Sequence, residues 1–283
     1  MKSRSEYVKA YVIFQQAYRM LSRNVHCKIH PIKASRSMTT TNYDPIAEQY
    51  KRSKQQPWRT FIECFTLLEL AGNPQGLSVL DVACGEGFYT RLLRERGATR
   101  VMGVDLSQGM IELAQIQEAQ NQQGIEFIVG DARELPVAEQ FDLAVAAYLL
   151  NYARTREELQ SMCNGIANAL EPGGRFVTVN SSPMFHFPES PSFRHFGFET
   201  SASANWTEGT PITWTFHLDD GPFDIENYHL AAETHEDAFR AAGFNEVRWH
   251  APQLAPEGLT ANTQDYWSPL LSNSPITFIE CVK

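Results

Sequence analysis

Residues 78–105 read SVLDVACGEGFYTRLLRERGATRVMGVD. An apolar run from Ser78 to Val82 passes into Gly85-Glu86-Gly87, then into a helical stretch ending at Gly97. A second apolar run, Arg100 to Val104, stops at Asp105. Short apolar runs bounded by glycine predict buried strands, and strand–helix–strand is the unit that joins a parallel pair through a right-handed crossover. Glycines at the end of the first strand permit a tight turn and let a flat ligand approach the backbone. Asp105 stands at the end of the second strand, where a carboxylate accepts hydrogen bonds from both hydroxyls of a ribose. An ordinary strand–helix turn explains the glycines but does not require that Asp.

The alternation continues outward. Upstream, Pro57 opens a helix with Trp58, Phe61, Ile62, Phe65 and Leu68 on one face and Gly72 as its terminator. Downstream, Ser107 caps a helix carrying Met110, Ile111 and Ala114, and strands follow at Ile125 to Val129 and Phe141 to Ala146. Thr155 with Glu158 forms a capping box for a helix to Leu170, which Pro172-Gly173-Gly174 stops before a fifth strand, Arg175 to Asn180. A helix from Thr234 to Gly243, a strand near Val247 and a last strand from Ile276 to Cys281 complete the pattern. The expected fold is α/β: a doubly wound, mostly parallel seven-stranded sheet with a C-terminal antiparallel hairpin that has no helix between its strands. Residues 181–233 break the alternation. Rich in Phe, His, Ser and Pro, with two candidate strands at Ile212 to Leu218 and Ile225 to Leu230, they read as an inserted lid.

The net charge of −9 is unevenly spread. Residues 1–37 hold eight basic side chains and one acid, Glu6, leaving 16 basic against 32 acidic residues in the remainder. So acidic a body repels a phosphate backbone, and no nucleic-acid partner is expected. Five scattered cysteines form neither a CxxC pair nor a cluster with histidine, so no metal is expected. The longest apolar run, Phe141 to Leu150, is too short to span a bilayer. The expectation is a soluble, cytoplasmic monomer or homodimer without a membrane partner. The 1–37 segment admits two readings. Tyr7 to Leu21 as an amphipathic helix would make it a mitochondrial transit peptide; the favoured alternative is either a disordered extension or an over-extended gene model whose real start is Met38. The folded domain is then 38–283, with cap helices over 43–71.

Two further stretches carry chemistry. Gly130-Asp131-Ala132 follows the third strand, where a carboxylate can accept from an adenine amino group, and Pro172-Gly173-Gly174 aligns the fifth strand. Together with Asp81-Val82-Ala83-Cys84-Gly85-Glu86-Gly87 and Asp105, they resemble class I S-adenosylmethionine (SAM)-dependent methyltransferases from about Tyr43 to Lys283. Tyr43-Asp-Pro-Ile-Ala-Glu-Gln-Tyr50 is similar to the helix with which small-molecule members cover the cofactor. Gly85-Glu86-Gly87-Phe88-Tyr89, Tyr148-Leu149-Leu150-Asn151-Tyr152, Tyr266-Trp267 and Ser274-Pro275-Ile276 look most like toxoflavin-synthase-type enzymes of secondary metabolism. Departures are Glu86, where threonine or serine is commoner, and the absence of a third glycine after Gly87.

The resemblance implies SAM as cofactor, held by Tyr43, Ala83, Cys84, Gly85, Gly87, Tyr89, Asp105, Leu106, Met110, Asp131 and Ala132. It also puts Arg59 where a related N-methyltransferase group binds the methionine carboxylate, although a solvated helix arginine fits the spacing equally. Methyl transfer from a sulfonium demands positioning more than acid or base, and aromatic faces of Tyr43, Tyr89 and Tyr148 suit a sulfonium. The acceptor, a small and heterocyclic metabolite methylated on N, or on S or O, is expected near Tyr148 and Asn151. His186 and His229 are the candidate bases, against a commoner structural role for each. Two alternatives stand. A nicotinamide-dependent oxidoreductase shares the fold and the Asp105 logic, but would want a third glycine where Thr90 stands. A non-catalytic SAM-binding regulatory protein would lack an acceptor pocket.

Overall fold

The computed structural model describes residues 47–138 and 140–283; the segment over 1–37 and Tyr43 lie outside them. β1 (Ser78–Val82) is buried on both faces. Val79 enters one core with Leu143 and Val145, while Leu80 and Val82 enter the other with Ala144 and Ala146, following the two-residue alternation of a strand. β1 runs parallel to β2 (Arg100–Asp105) on one side and to β4 (Phe141–Ala147) on the other. β3 (Glu126–Val129) pairs with β2, and β5 (Leu170–Ser181) with β4, both parallel. β10 (Ile276–Val282) lies antiparallel between β5 and β9 (Glu246–His250). The order of the seven strands is β3-β2-β1-β4-β5-β10-β9.

Helices cover both faces. α1 (Ala47–Ser53) precedes the segment of α2 (Phe65–Ala71), which packs on one face with α3 (Phe88–Glu95) and α4 (Gln108–Gln120); α5 (Arg156–Asn168) and α6 (Ala232–Ala241) pack on the other. The expected caps are present: the Ser107 hydroxyl accepts from the Met110 amide, and the Thr155 hydroxyl from the Glu158 amide.

The structure departs from the sequence reading in four places. Arg59–Cys64, leading into α2, is a π-helical stretch. Its wider turn brings Arg59 and Glu63 into the protein alongside Ile62 and leaves Phe61 partly exposed. Pro172-Gly173-Gly174 lies inside β5 at a slip in register with β4 rather than stopping a helix, which ends at Asn168. The last two strands are antiparallel, but not joined as a simple hairpin. Two helices, α7 (Gly258–Ala261) and α8 (Gln264–Ser272), lie between them, and Trp267 of α8 is fully buried with its indole N–H on the Gly258 carbonyl. Residues 181–233 form three strands, not two: β6 (Phe198–Ala202), β7 (Pro211–Leu218) and β8 (Gly221–Tyr228), an antiparallel sheet in sequence order. Its inward residues, among them Phe198, Trp214 and Phe216, join the same core as Trp58.

The four described cysteines are buried and unpaired, and among the described residues no helix is long and apolar enough to cross a membrane. Gly165 of α5 lies against the loop that carries Asp131 and Ala132: a Cβ there would sit 2.2 Å from the Ala132 carbonyl oxygen. Gly165→Ala is therefore expected to lower stability by about 1–3 kcal/mol through overpacking; thermal melting checks this, and an unchanged Tm would contradict the close approach.

Candidate active site

The chain leaves β1 through a turn in which Ala83, Gly85 and Gly87 all have left-handed backbone angles, with φ of 59°, 57° and 84°. Tyr148, just past the end of β4, also has a positive φ, 62°. Two non-glycine residues in this region flank the point where the chain order reverses, between β1 and β4, the place where open α/β sheets hold ligands. The Asp105 carboxylate ties the turn to β2: Oδ2 accepts from the Gly85 amide at 2.8 Å and Oδ1 from the Ser107 amide at 2.9 Å. Burial raises its pKa against the pull of those two amides. The two glycines differ. A Cβ on Gly85 would meet only the Lys54 ammonium, at 3.6 Å, whereas one on Gly87 would strike the Phe127 ring at 2.6 Å. Glycine at 87 is thus required by internal packing as well as by backbone angle.

A second group of residues converges from the π-helical stretch. Arg59 and Glu63, on successive turns, are 3% and 2% exposed, with Arg59 Nε 3.8 Å from Glu63 Oε2. Tyr89 donates its hydroxyl to Glu63 Oε1 at 2.7 Å and Tyr148 to Oε2 at 2.6 Å. Burial followed by the Glu63 carboxylate pushes both tyrosines well above their ordinary pKa. The Arg59 guanidinium lies 4.9 Å from the Phe216 ring centre and 5.7 Å from that of Tyr148, and its Nε and Nη1 make no hydrogen bond. Lys54 is also buried, 3.7 Å from Glu86 Oε1 and 5.0 Å from the Tyr50 ring centre. Burial pulls its pKa down, but Glu86 and other neighbours leave it raised overall.

Between Tyr148 and the three-stranded sheet lies a small, partly open pocket. Tyr50, Tyr152, Trp214 and Phe216 form its aromatic walls, with Arg59 and Asn227 as polar lining. At the opposite end, Leu106 and Val129 are exposed apolar residues at the ends of β2 and β3, and Asp131 is half-buried beside them. The Asp131 carboxylate is held by the Arg133 side chain and amide, which lower its pKa. Ala132, Cys84 and Met110 are buried.

The expected bases are not brought to this cavity. His186 is exposed, His229 is half-buried against Trp206 at 4.1 Å, and neither lines it. Burial lowers the pKa of His229. Asn151 also lies off the lining, 3% exposed in a short turn after β4, with neither side-chain atom hydrogen-bonded. Lys54, Glu63 and Trp214 join the site unannounced. The only signal for Glu63 was an acid four residues after Arg59 in an apolar helix; Lys54 and Trp214 carried none. Among the described residues no group of three or more His, Cys, Asp or Glu side chains could hold a metal ion.

Residues 79–174 match a family model described as a methyltransferase domain. This stretch is a methyltransferase domain, set in a chain with the fold of solved SAM-dependent methyltransferases. The chain is an enzyme whose cofactor is SAM. The ubiquinone/menaquinone biosynthesis C-methyltransferase of Desulfotalea psychrophila is 29% identical over 228 residues, covering 77% of this chain and 83% of that protein. The N-demethylindolmycin N-methyltransferase of Streptomyces griseus is 24% identical over 169 residues, 60% of this chain and 70% of that one. A SAM-dependent methyltransferase of Mesorhizobium loti superposes with a TM-score of 0.56 at 21% identity, covering 82% of this chain and all of that one.

The methyltransferase keeps a fully buried carboxyl, Asp81, beneath the turn. Burial raises its pKa to about 7 although Thr90 donates to it at 2.6 Å. A carboxyl with a raised folded pKa holds a proton that the unfolded chain releases above about pH 4. Stability therefore falls with rising pH between about 4 and about 7, by up to about 1.4 kcal/mol per unit. Asp81→Asn retains an acceptor for Thr90 and should remove that slope. Its Tm relative to wild type is expected to rise from about pH 5 to about pH 8; a constant difference would contradict the buried, proton-holding carboxyl.

Proposed function

We propose that the methyltransferase methylates a small, flat heterocyclic metabolite, on nitrogen foremost and otherwise on sulfur or oxygen. The observation that carries this reading is the aromatic cavity beside Tyr148, roofed by the three-stranded sheet at the reversal of strand order. Aromatic walls of this kind suit the faces of a flat ring. Two relatives support the scale of acceptor, since their names refer to quinone and indolmycin chemistry. The likeness of Tyr148-Leu149-Leu150-Asn151-Tyr152 to toxoflavin-synthase-type enzymes points to a fused heterocycle.

The residues present fit the cofactor. A Cβ on Gly85 would meet nothing but the Lys54 ammonium, each Asp105 oxygen has spare acceptor capacity beyond its one amide, and Arg59 has two buried N–H positions without a hydrogen bond. In our reading Asp105 holds the ribose. Leu106, Asp131 and Ala132 frame the adenine, and Lys54 and Arg59 share the methionine carboxylate. Ala83, Cys84, Tyr89 and the buried Met110 shape the turn around it. SAM supplies a methyl group on a sulfonium, an electrophile that needs no metal. Tyr148, its hydroxyl pinned by Glu63, and Tyr152 orient the acceptor ring, and residues 181–233 act as the lid. With His186 and His229 away from the cavity, we assign no general base to this chain. Thr90, fully buried on Asp81, fills the place where a dinucleotide fold would want a third glycine, which disfavours the oxidoreductase reading.

Replacing Asp105 by Asn retains size but removes a charge and an acceptor worth about 1.5–3 kcal/mol. SAM affinity by calorimetry is expected to fall roughly ten- to hundred-fold, with no NADH binding to wild type; unchanged SAM affinity would remove Asp105 from the ribose site. Turnover of labelled SAM with a panel of heterocyclic amines, thiols and phenols tests the acceptor class and separates a catalyst from a SAM-binding regulator. Activity is expected to survive EDTA, and its rescue by a single divalent ion would contradict the metal-free reading.

A further inference from the structure

The unsatisfied hydrogen-bonding groups of the acceptor cavity are donors. Trp214 is 3% exposed, yet its indole Nε1–H has no partner. Arg59 presents two more N–H positions without a hydrogen bond, Nε and Nη1, the former 3.8 Å from Glu63 Oε2. The acceptors nearby are already taken. Glu63 receives Tyr89 on one oxygen and Tyr148 on the other, and the Asn227 carbonyl receives the Ser181 hydroxyl at 3.2 Å. A buried donor without a partner is costly and uncommon, and two such side chains facing one aromatic cavity define what completes it. A ring that offers only donors, with no oxygen or ring-nitrogen acceptor, would leave them unpaired.

Resting on the methyltransferase reading of this site, we propose that the acceptor binds as an oxyanion. It is a flat ring of the acidic phenol or enol type, its negative oxygen received by the Trp214 Nε1–H and by the Arg59 N–H group not used on the cofactor carboxylate. Tyr152 and Phe216 lie against the ring. Such an acceptor enters already deprotonated, which accounts for a cavity lined by no histidine and by no free carboxylate. A nucleophilic atom of the ionised ring supplies the electron pair, its bond to the methyl carbon forms, and the bond from that carbon to sulfur breaks. The negative ring and the positive sulfonium become neutral product and neutral thioether, with no proton moved during transfer. Opposite charges that cancel along the reaction path gain from a water-poor site.

The test uses the full chain saturated with S-adenosylhomocysteine and two probes of one shape, 4-nitrophenol and 4-nitroanisole. Absorbance near the phenolate band reports the ionisation of bound nitrophenol. The expected result is growth of the phenolate band on binding at near-neutral pH, with 4-nitroanisole bound at least ten-fold more weakly. Trp214→Phe, which retains an aromatic ring but removes the N–H, should weaken nitrophenol about ten-fold while leaving S-adenosylhomocysteine affinity unchanged, the control for folding. Binding of the neutral phenol, equal binding of the anisole, or binding of neither ring would overturn the proposal. Loss of S-adenosylhomocysteine binding by the wild-type chain would instead overturn the cofactor site on which it rests.

Discussion

Parallel pairing of β1 with β2 on one side and β4 on the other makes all three strands end at the same edge of the sheet. From that edge the connections diverge, since the chain after β1 crosses one face and the chain after β4 the other. The gap between them can be closed only by backbone that turns sharply, and Ala83, Gly85, Gly87 and Tyr148 all take positive φ there. Strain at non-glycine positions persists where surroundings over-determine it. At Ala83 the pairing of the turn with β2 through Asp105 and the Cys84 amide does so; at Tyr148 the Glu63 carboxylate and the hydrogen bond that the Tyr148 amide donates to the Val179 carbonyl do.

The same gap accumulates charge. Lys54 and Arg59 are buried near Glu86 and Glu63, at separations of 3.7 and 3.8 Å. Buried pairs of this kind gain little net stability, while removal of one partner typically costs about 3–5 kcal/mol because the other is left alone. Their retention in an otherwise aromatic environment makes more sense for a site that receives a charged ligand than for a core. The rings around Arg59 supply favourable faces for the cation but no hydrogen bonds.

Much of the framework was legible because its signals are local. Val79 to Val82, Gly85 and Asp105 lie within one strand–helix–strand unit, and period and turn chemistry suffice to place them. Residues whose roles depend on packing were not legible. Glu63 reads as a surface acid until the π-helical stretch turns it inward, and Trp214 as one aromatic of a strand until β7 is laid over the sheet. His186 and His229 drew attention by chemistry alone; position around Trp206 removed them from the cavity. Asn151 lies after β4 as expected, but it is not among the residues that line the cavity. β6 was missed because Phe198-Glu-Thr-Ser-Ala202 is short and half polar, and becomes a strand only by pairing with β7.

By itself, the sequence determined the parallel α/β framework, the turn after β1 and the carboxylate at the end of β2, because each depends on residues close in the chain. Tertiary structure alone decided the rest: that β10 enters between β5 and β9, that two helices separate the last strands, and that the insertion closes over Tyr148. It also decided which charged and aromatic side chains meet in the cavity. These outcomes join segments as far apart as Arg59 and Phe216, and no local propensity records a contact whose energy comes from burial against a distant part of the chain.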